Sequence, residues 1–165
     1  MEKEPSLTLL QEEFETLHNM LEELTKTFYD EKEEKLKVSY PNNSEGRQLK
    51  QAHFEIFNHL EQVRKQLEYF SQPIADTGIL KYDHEKEGFV FKSLYHDFPL
   101  VSGMTLEVLV EDYFTEEKHW LKTRLEYLPQ SAGEGYRSKN HSYGWYVAED
   151  KELQLEGAKA RLRKK

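Results

Sequence analysis

Cysteine is absent from this chain of 165 residues. Disulfide bonds, thiol catalysis and thiolate metal sites are therefore excluded. Glycine and proline are scarce, with 8 and 5 residues, and Gly133 and Gly135 form only a G-x-G with no helix start after it, which is not a phosphate-binding loop. No serine stands in the G-x-S-x-G elbow of α/β-hydrolases. We therefore predict that the protein is not an enzyme and uses no cofactor.

Long apolar runs are missing as well. No segment approaches the ~18–20 consecutive apolar residues that a membrane-spanning helix needs, and the acidic start MEKEPSLTLL has no apolar centre of signal-peptide length. The sequence therefore predicts a soluble, cytoplasmic protein without membrane contact. The formal net charge of -8 disfavours non-specific binding to nucleic acid, because an acidic surface repels polyanions. The charge is uneven, since residues 1–72 carry 15 acids and 9 Lys/Arg, net -6, while residues 73–165 carry 16 and 14, net -2.

Two stretches of the first half repeat apolar residues at alternating steps of three and four. The first consists of Leu7, Leu10, Phe14, Leu17, Leu21, Leu24 and Phe28, and the second of Leu49, His53, Ile56, Leu60, Val63, Leu67 and Phe70. This heptad pattern is typical of helices packed along a seam. Ser6 is the predicted cap of the first helix. The turn-forming residues 40–46 precede a second helix from about Glu45 to Ser71. We predict an antiparallel, coiled-coil-like helical hairpin.

The second helix carries more apolar surface than one seam needs. Phe54 and Phe57 lie beside the heptad row and widen its apolar face. Because a two-helix hairpin has no enclosed interior, either the C-terminal half or a second chain must cover this surplus. We predict a homo-oligomer, with a dimer favoured and with Phe54 and Phe57 as its face. The charged residues 30–37 are predicted to extend the first helix as a solvated segment, the alternative being a docking site for a basic partner.

After Pro73 the apolar period changes from that of a helix toward that of a strand. Alternating apolar residues and intervening turn formers predict seven strands, at residues 78–82, 88–91, 94–100, 104–110, 119–127, 144–148 and 158–162. Short strands at this spacing are typical of a strongly bent antiparallel sheet. The predicted fold class is α+β: an antiparallel helical hairpin over residues 1–72, followed by a small antiparallel β-barrel-like (SH3-like) domain over residues 73–165.

Five segments, mainly in the second half, carry a family resemblance. They are residues 69–74 (YFSQPI), 103–109 (GMTLEVL), 120–126 (WLKTRLE), 144–147 (GWYV) and 155–161 (LEGAKAR). In this order and spacing the chain resembles a family of small uncharacterised proteins from Gram-positive bacteria and their conjugative or other mobile elements. The resemblance implies a helical N-terminal half, a small β domain of unknown function and a bacterial cytoplasm. It implies no particular activity.

Cations and aromatic residues are interleaved in residues 136–143. Such a mixture suits an anionic ligand, because charges hold phosphate or carboxylate groups while rings stack on bases or side chains. With basic residues from nearby strands it forms a candidate patch for a protein partner or for nucleic acid, consisting of Arg124, Tyr136, Arg137, Lys139, His141, Tyr143, Arg161 and Arg163. The alternative is an ordinary solvated loop beside Trp145.

The seven histidines show no metal-ligand spacing. His53 and His59 are six residues apart on one predicted helix, and no HExxH motif occurs. His53 is predicted to set the register of the helical seam, and no metal site is predicted, the alternative being convergence of histidines from different strands and turns. The sequence favours a non-catalytic interaction or assembly protein that self-associates through its hairpin and presents its β domain to a partner. A nucleic-acid-binding accessory protein is the first alternative, and a small enzyme of unknown type is the second.

Overall fold

The chain is described here by a computed structural model that covers residues 5–128 and 143–164. It divides into two compact units, Met1–Gln72 and Pro73–Lys165, which we call the helical unit and the β unit. Two N-terminal helices pack together and an antiparallel sheet follows, so the predicted α+β class is confirmed. No helix in the described ranges combines the length and the apolar character needed to cross a membrane.

The helical unit is built from two capped helices. Its elements are α1 (Leu7–Phe28), β1 (Tyr29–Asp30), β2 (Lys35–Leu36) and α2 (Ser44–Ser71). The predicted cap Ser6 accepts a hydrogen bond at Oγ from the amide of Leu9 at 3.2 Å. Asn43 caps α2 in the same way, accepting from the amide of Gly46 at 2.8 Å. Both bonds satisfy amides that have no partner inside their helix.

The charged segment after α1 is not helical, so the predicted extension over residues 30–37 is wrong. β1 and β2 pair as a short antiparallel hairpin. The Asp30 carboxylate accepts hydrogen bonds from the amides of Lys32 at 3.0 Å and Glu33 at 3.2 Å, and Glu34 adopts a positive φ of 47°. A short acidic side chain that binds the amides of the next turn competes with continuation of the helix.

The two helices run antiparallel. Thr25 Oγ1 donates to Glu61 at 3.5 Å, while Tyr29, further along the chain, stacks on Phe57 with ring centroids 6.3 Å apart. The residue numbers of these contacts therefore increase along the first segment while they decrease along α2. In this register the last residue of α2, Ser71, lies opposite about position 15 of α1, because both helices rise ~1.5 Å per residue. The N-terminal part of α1 extends past the end of α2.

The β unit is a seven-stranded antiparallel sheet with the order β5-β4-β3-β9-β6-β7-β8. Its strands are β3 (Ile74–Asp83), β4 (Gly88–Lys92), β5 (Asp97–Pro99), β6 (Thr105–Glu111), β7 (Lys118–Tyr127), β8 (Trp145–Val147) and β9 (Lys159–Arg163). Every predicted strand is present, with shifted ends. Alternation places Leu106, Val108 and Leu125 on one fully buried face, where Leu100 and Leu155 from the connections complete the core.

The sheet curls on itself but is not closed into a barrel, so the predicted barrel-like (SH3-like) closure is wrong. Phe89 in β4 and Trp145 in β8 meet edge to face with centroids 6.5 Å apart, although β4 and β8 are not neighbours in the sheet. Trp145 Nε1 also donates to the carbonyl oxygen of Glu87 at 3.4 Å. Among the described strands, however, the outer β5 and β8 do not pair with each other. A closed barrel requires backbone pairing all the way round.

Candidate functional site

An apolar stripe runs along the solvent-exposed side of α2. Each of its four members keeps between 40% and 53% of its surface exposed, and they are Leu49, Ile56, Val63 and Phe70. Because seven residues make nearly two full helical turns, these side chains lie almost one above another. Side chains of this kind are usually buried, and a row of exposed apolar side chains indicates an interaction surface.

α1 adds a second exposed apolar row at its N-terminal end. This row consists of Leu7, Leu10, Phe14 and Leu17. The next member of the heptad, Leu21, is buried, because α2 lies against that part of α1. The predicted seam is therefore the contact between the two helices over only part of its length, and the remainder faces solvent.

Phe54 and Phe57, the predicted self-association face, are both half-buried. Phe57 packs against Tyr29 within the helical unit, so at least part of its apolar surface is covered inside one copy. His53, predicted to lie in the seam, is exposed and has its Nδ1 2.9 Å from the hydroxyl oxygen of Tyr40. The most exposed apolar surface of α2 is the apolar stripe.

Charged residues occupy the side of α2 that faces α1. Arg64 donates to the Glu61 carboxylate from Nε at 2.8 Å and from Nη2 at 2.6 Å, and the same carboxylate accepts from Thr25. The hydrogen bond from Arg64 lowers the pKa of Glu61, and the bond to Glu61 raises the pKa of Arg64. This network ties the helices together on one side and leaves the apolar stripe on the outside.

The described basic residues of the predicted binding patch lie on two strands, β7 and β9. Four of its members lie outside the described residues, namely Tyr136, Arg137, Lys139 and His141. Arg124 lies on the surface of β7 and binds the carboxylate of Glu126 in the same strand. Arg161 and Arg163 lie together in β9, where both bind Glu107 of β6. Three of the four described members are thus paired with acids of the chain itself.

Glu107 is the most deeply buried carboxylate among the described residues of the β unit, with 1% of its surface exposed. Its Oε2 accepts from Arg161 Nε at 2.5 Å and its Oε1 from Arg163 Nη2 at 3.3 Å. Arg161 also places its guanidinium 4.4 Å from the ring centroid of Trp120. Charged groups are buried at acceptable cost only when they are paired and hydrogen-bonded, so these arginines have a structural role.

Tyr143, the fourth described patch member, belongs to an aromatic cluster beside the β3–β4 turn. It stacks on Tyr82 with ring centroids 4.1 Å apart, and His84 stands edge-on to both rings at 5.0 and 5.5 Å. Burial and the nearby Glu87 charge raise the pKa of Tyr82. Tyr143 itself is exposed and can stack against a ring or a cation of a partner.

A cleft of about 540 Å³ lies along β3, β4 and β5. Its walls combine Lys81 and Lys92 with Asp83 and Asp97, and Lys92 lies 3.9 Å from Asp97. Opposite charges are balanced in this cleft, so it favours neither an anionic nor a cationic small ligand.

Ser93, His96 and Asp76 meet beside β3 without forming a nucleophilic site. Ser93 Oγ donates to the Asp76 carboxylate, and His96 Nδ1 lies 3.3 Å from the same oxygen. The hydrogen bond from Ser93, with a further one from His96, lowers the pKa of Asp76. In a hydrolytic triad the histidine stands between serine and acid and takes the serine proton. Here the acid stands between them, and this arrangement does not activate the serine.

In the described part of the chain, no three side chains of the histidine, aspartate or glutamate type converge as a metal site would require.

Two features were not predicted from the sequence, the burial of Glu107 and the exposure of the aromatic pair Tyr113 and Phe114 in the β6–β7 turn. Glu107 occupies an outward position of an alternating strand, where no local signal indicates burial. The exposure of the aromatic pair could have been predicted, because acidic residues flank it on both sides, at positions 111–112 and 116–117.

Comparison with known proteins yields one family. The model of a family described as a domain of unknown function (DUF5348) matches residues 78–162, a range that begins within β3 and ends within β9. It includes Glu107, Arg161 and the aromatic cluster, whereas Arg163 lies just beyond it. No curated protein and no solved structure matches the chain significantly.

Proposed function

The chain belongs to the family of the domain of unknown function DUF5348, and from this premise we propose that it is a non-catalytic interaction and assembly protein. In this proposal the helical unit associates with a second copy through the apolar stripe, and the β unit binds a protein partner. On the basis of the family resemblance stated above, we also propose that the protein is located in a bacterial cytoplasm and is associated with a mobile element. The exposed apolar stripe of α2 is the observation that carries it.

The area of the apolar stripe supports this proposal. Burying a whole aliphatic or phenylalanine side chain is worth ~1.5–3 kcal/mol, so covering the exposed half of one stripe residue contributes about 1 kcal/mol. Four such residues in each of two copies then contribute about 8 kcal/mol. The cost of association is ~4–15 kcal/mol, so this contribution offsets the lower part of that range.

A symmetric pair suits this surface. A two-fold axis brings the same patch of each copy into contact with itself, and a row of residues at heptad spacing packs against an identical row as knobs into holes. Two helical hairpins joined in this way form a four-helix arrangement. The second copy then supplies the enclosed interior that a single hairpin lacks.

Sedimentation equilibrium of the full chain tests this proposal. We expect a mass of about twice the 19.7 kDa of one chain at micromolar concentration. Ile56→Lys places a charge at the centre of the apolar stripe, and we expect it to weaken association by about 30-fold or more, which corresponds to ~2 kcal/mol. Far-UV circular dichroism of the variant verifies that its helices are intact.

Gln51→Lys is the matched control. Gln51 is an exposed residue of α2, and its direction differs by about 140° from that of Ile56, because successive helical residues are ~100° apart. It adds the same charge off the apolar stripe, so the control is expected to associate like the unmodified chain. A full chain that sediments as a monomer at high concentration, or equal weakening by both substitutions, would contradict self-association through the apolar stripe.

A further inference from the structure

The β6–β7 turn of the β unit presents two aromatic side chains to solvent. Tyr113 and Phe114, which we call the aromatic tip, are 91% and 90% exposed. Their rings stand edge to face with centroids 5.5 Å apart. Aromatic residues bury more area on contact than most other side chains and are enriched among the residues that dominate binding energy at interfaces. Two adjacent rings with almost no contact inside the chain therefore indicate a docking surface.

Asp112 holds the backbone beneath the aromatic tip. Its Oδ1 accepts hydrogen bonds from the amides of Phe114 and Thr115, both at 2.9 Å, and from Thr115 Oγ1 at 3.1 Å. These bonds, led by those from the two amides, lower the pKa of Asp112. The amide of Asp112 further donates to the carbonyl of Glu117 at 2.9 Å. A turn held in place by these four hydrogen bonds loses little backbone entropy when a partner binds.

The surroundings of the aromatic tip are acidic. Glu111 and Asp112 precede it in sequence, and Glu116 and Glu117 follow. Glu111 lies 3.8 Å from Lys118, whereas the other two glutamates show no ion pair within the described residues. The turn therefore carries aromatic faces with acidic residues directly before and after them in sequence. Together these suit a guanidinium group, because its plane stacks on a ring while its N–H groups bind a carboxylate.

We propose that the aromatic tip is the site at which the β unit binds an arginine-bearing segment of a partner protein. This inference rests on the proposed function only in assigning partner binding to the β unit, and it does not depend on the apolar stripe. Anionic ligands are disfavoured here, because the acids repel phosphate. A lysine ammonium also pairs with a carboxylate, but it lacks both the two-pronged donor geometry and the flat face that stacks on a ring, so arginine is the preferred residue.

The probe is a fluorescein-labelled peptide of twelve residues in which arginine and serine alternate, compared with the same peptide carrying lysine in place of arginine. Fluorescence anisotropy with the full chain measures both affinities at low salt. We expect the arginine peptide to bind about 5-fold or more tightly than the lysine peptide, since ring stacking on a cation is worth ~1 kcal/mol. Binding is expected to weaken as salt is added.

Two double substitutions locate the peptide. Tyr113→Ser with Phe114→Ser removes the aromatic tip, and we expect about a 10-fold or greater loss of affinity, as for an interface anchor. The matched control is Leu94→Ser with Tyr95→Ser, which removes another exposed apolar pair, 93% and 80% exposed, from the connection between β4 and β5. That connection is not flanked by acids on both sides, and its variant is expected to bind within about 2-fold of the unmodified chain.

Three results would overturn the proposal. These are absence of binding by the arginine peptide, equal binding by the tip variant and the control, or equal affinity for arginine and lysine peptides. Sedimentation of the tip variant provides a fourth: a loss of association would show that a second copy covers the aromatic tip. If association persists while the peptide fails to bind, the aromatic-tip proposal fails and self-association through the apolar stripe stands, so the two failures are distinguishable.

Discussion

Replacing Glu107 by glutamine removes one negative charge from between two arginines. Glu107 is 1% exposed, and the side chains of Arg161 and Arg163 are 18% and 13% exposed. Glutamine keeps the shape and one oxygen acceptor, so packing in β6 changes little. Two largely buried guanidinium groups, however, lose the carboxylate that compensates their charge.

The expected loss of stability follows from this burial. Breaking a buried ion pair by removing one partner costs ~3–5 kcal/mol, because a buried charge remains without compensation. Glutamine retains one hydrogen bond and the arginine tips reach some water, so we expect the lower end, about 3 kcal/mol. For a unit of fewer than a hundred residues, that corresponds to a fall of about 12–24 °C in melting temperature.

Tryptophan fluorescence in urea measures this loss in the β unit alone. The chain has two tryptophans, Trp120 and Trp145, and both lie in the β unit. Glu111→Gln is the matched control, because Glu111 is an exposed glutamate of the same strand whose surface pair is worth less than ~1 kcal/mol. An unfolding free energy for Glu107→Gln that stays within about 0.5 kcal/mol of the unmodified chain, as expected of surface substitutions, would refute the reasoning.

A double-mutant cycle isolates the pair itself. With Glu107→Gln and Arg161→Met as the single changes, we expect a coupling of about 1 kcal/mol or more, since the two side chains share one hydrogen-bonded network. Additive effects would mean that the carboxylate stabilises β6 by some route other than Arg161.

Three further outcomes are expected. The hydrogen bond from Ser93 lowers the pKa of Asp76, so ionised Asp76 stabilises the folded β unit at pH values above its unfolded pKa of ~3.9, and this contribution is lost as the pH falls through the lower pKa of the folded state. Asp76→Asn should therefore flatten the dependence of melting temperature on pH in that acidic range. Asn43→Ala should cost the helical unit about 1 kcal/mol through loss of the α2 cap, measured by helical circular dichroism in urea. Fluorescence anisotropy should show no binding of DNA to the full chain at low salt. Binding that weakens with added salt, and that also weakens in the variant Arg137→Ser with Lys139→Ser, would favour the nucleic-acid alternative.

Elements that depend on neighbours in sequence could be predicted well. The heptad rows and the cap at Ser6 correctly indicated α1, and turn residues before Glu45 indicated the start of α2 within one residue. Alternation located all seven strands of the sheet. The exception, residues 30–37, failed because one carboxylate, that of Asp30, binds two amides and turns the chain, an effect that helix propensity does not include.

Features that depend on distant pairing could not be predicted in the same way. Arg161 and Glu107 are separated by 54 positions in the chain, and only the strand order that places β9 beside β6 turns two apparent members of a basic patch into partners of a buried acid. Closure of the sheet likewise depends on whether its outer strands, β5 and β8, pair with each other. The sequence of neither strand indicates whether they do.

The heptad rows show which features the local sequence determines and which depend on tertiary packing. Their period of three and four determined that the segments are helices with one apolar face, because side-chain direction along a helix follows from its 3.6-residue turn. Which part of that face is covered depended on the antiparallel register, set by contacts such as Thr25 with Glu61 and Tyr29 with Phe57. That register overlaps the helices over only part of their length and leaves the N-terminal row of α1 exposed. The residues Leu49, Ile56, Val63 and Phe70 are exposed because they lie on the side of α2 that faces solvent.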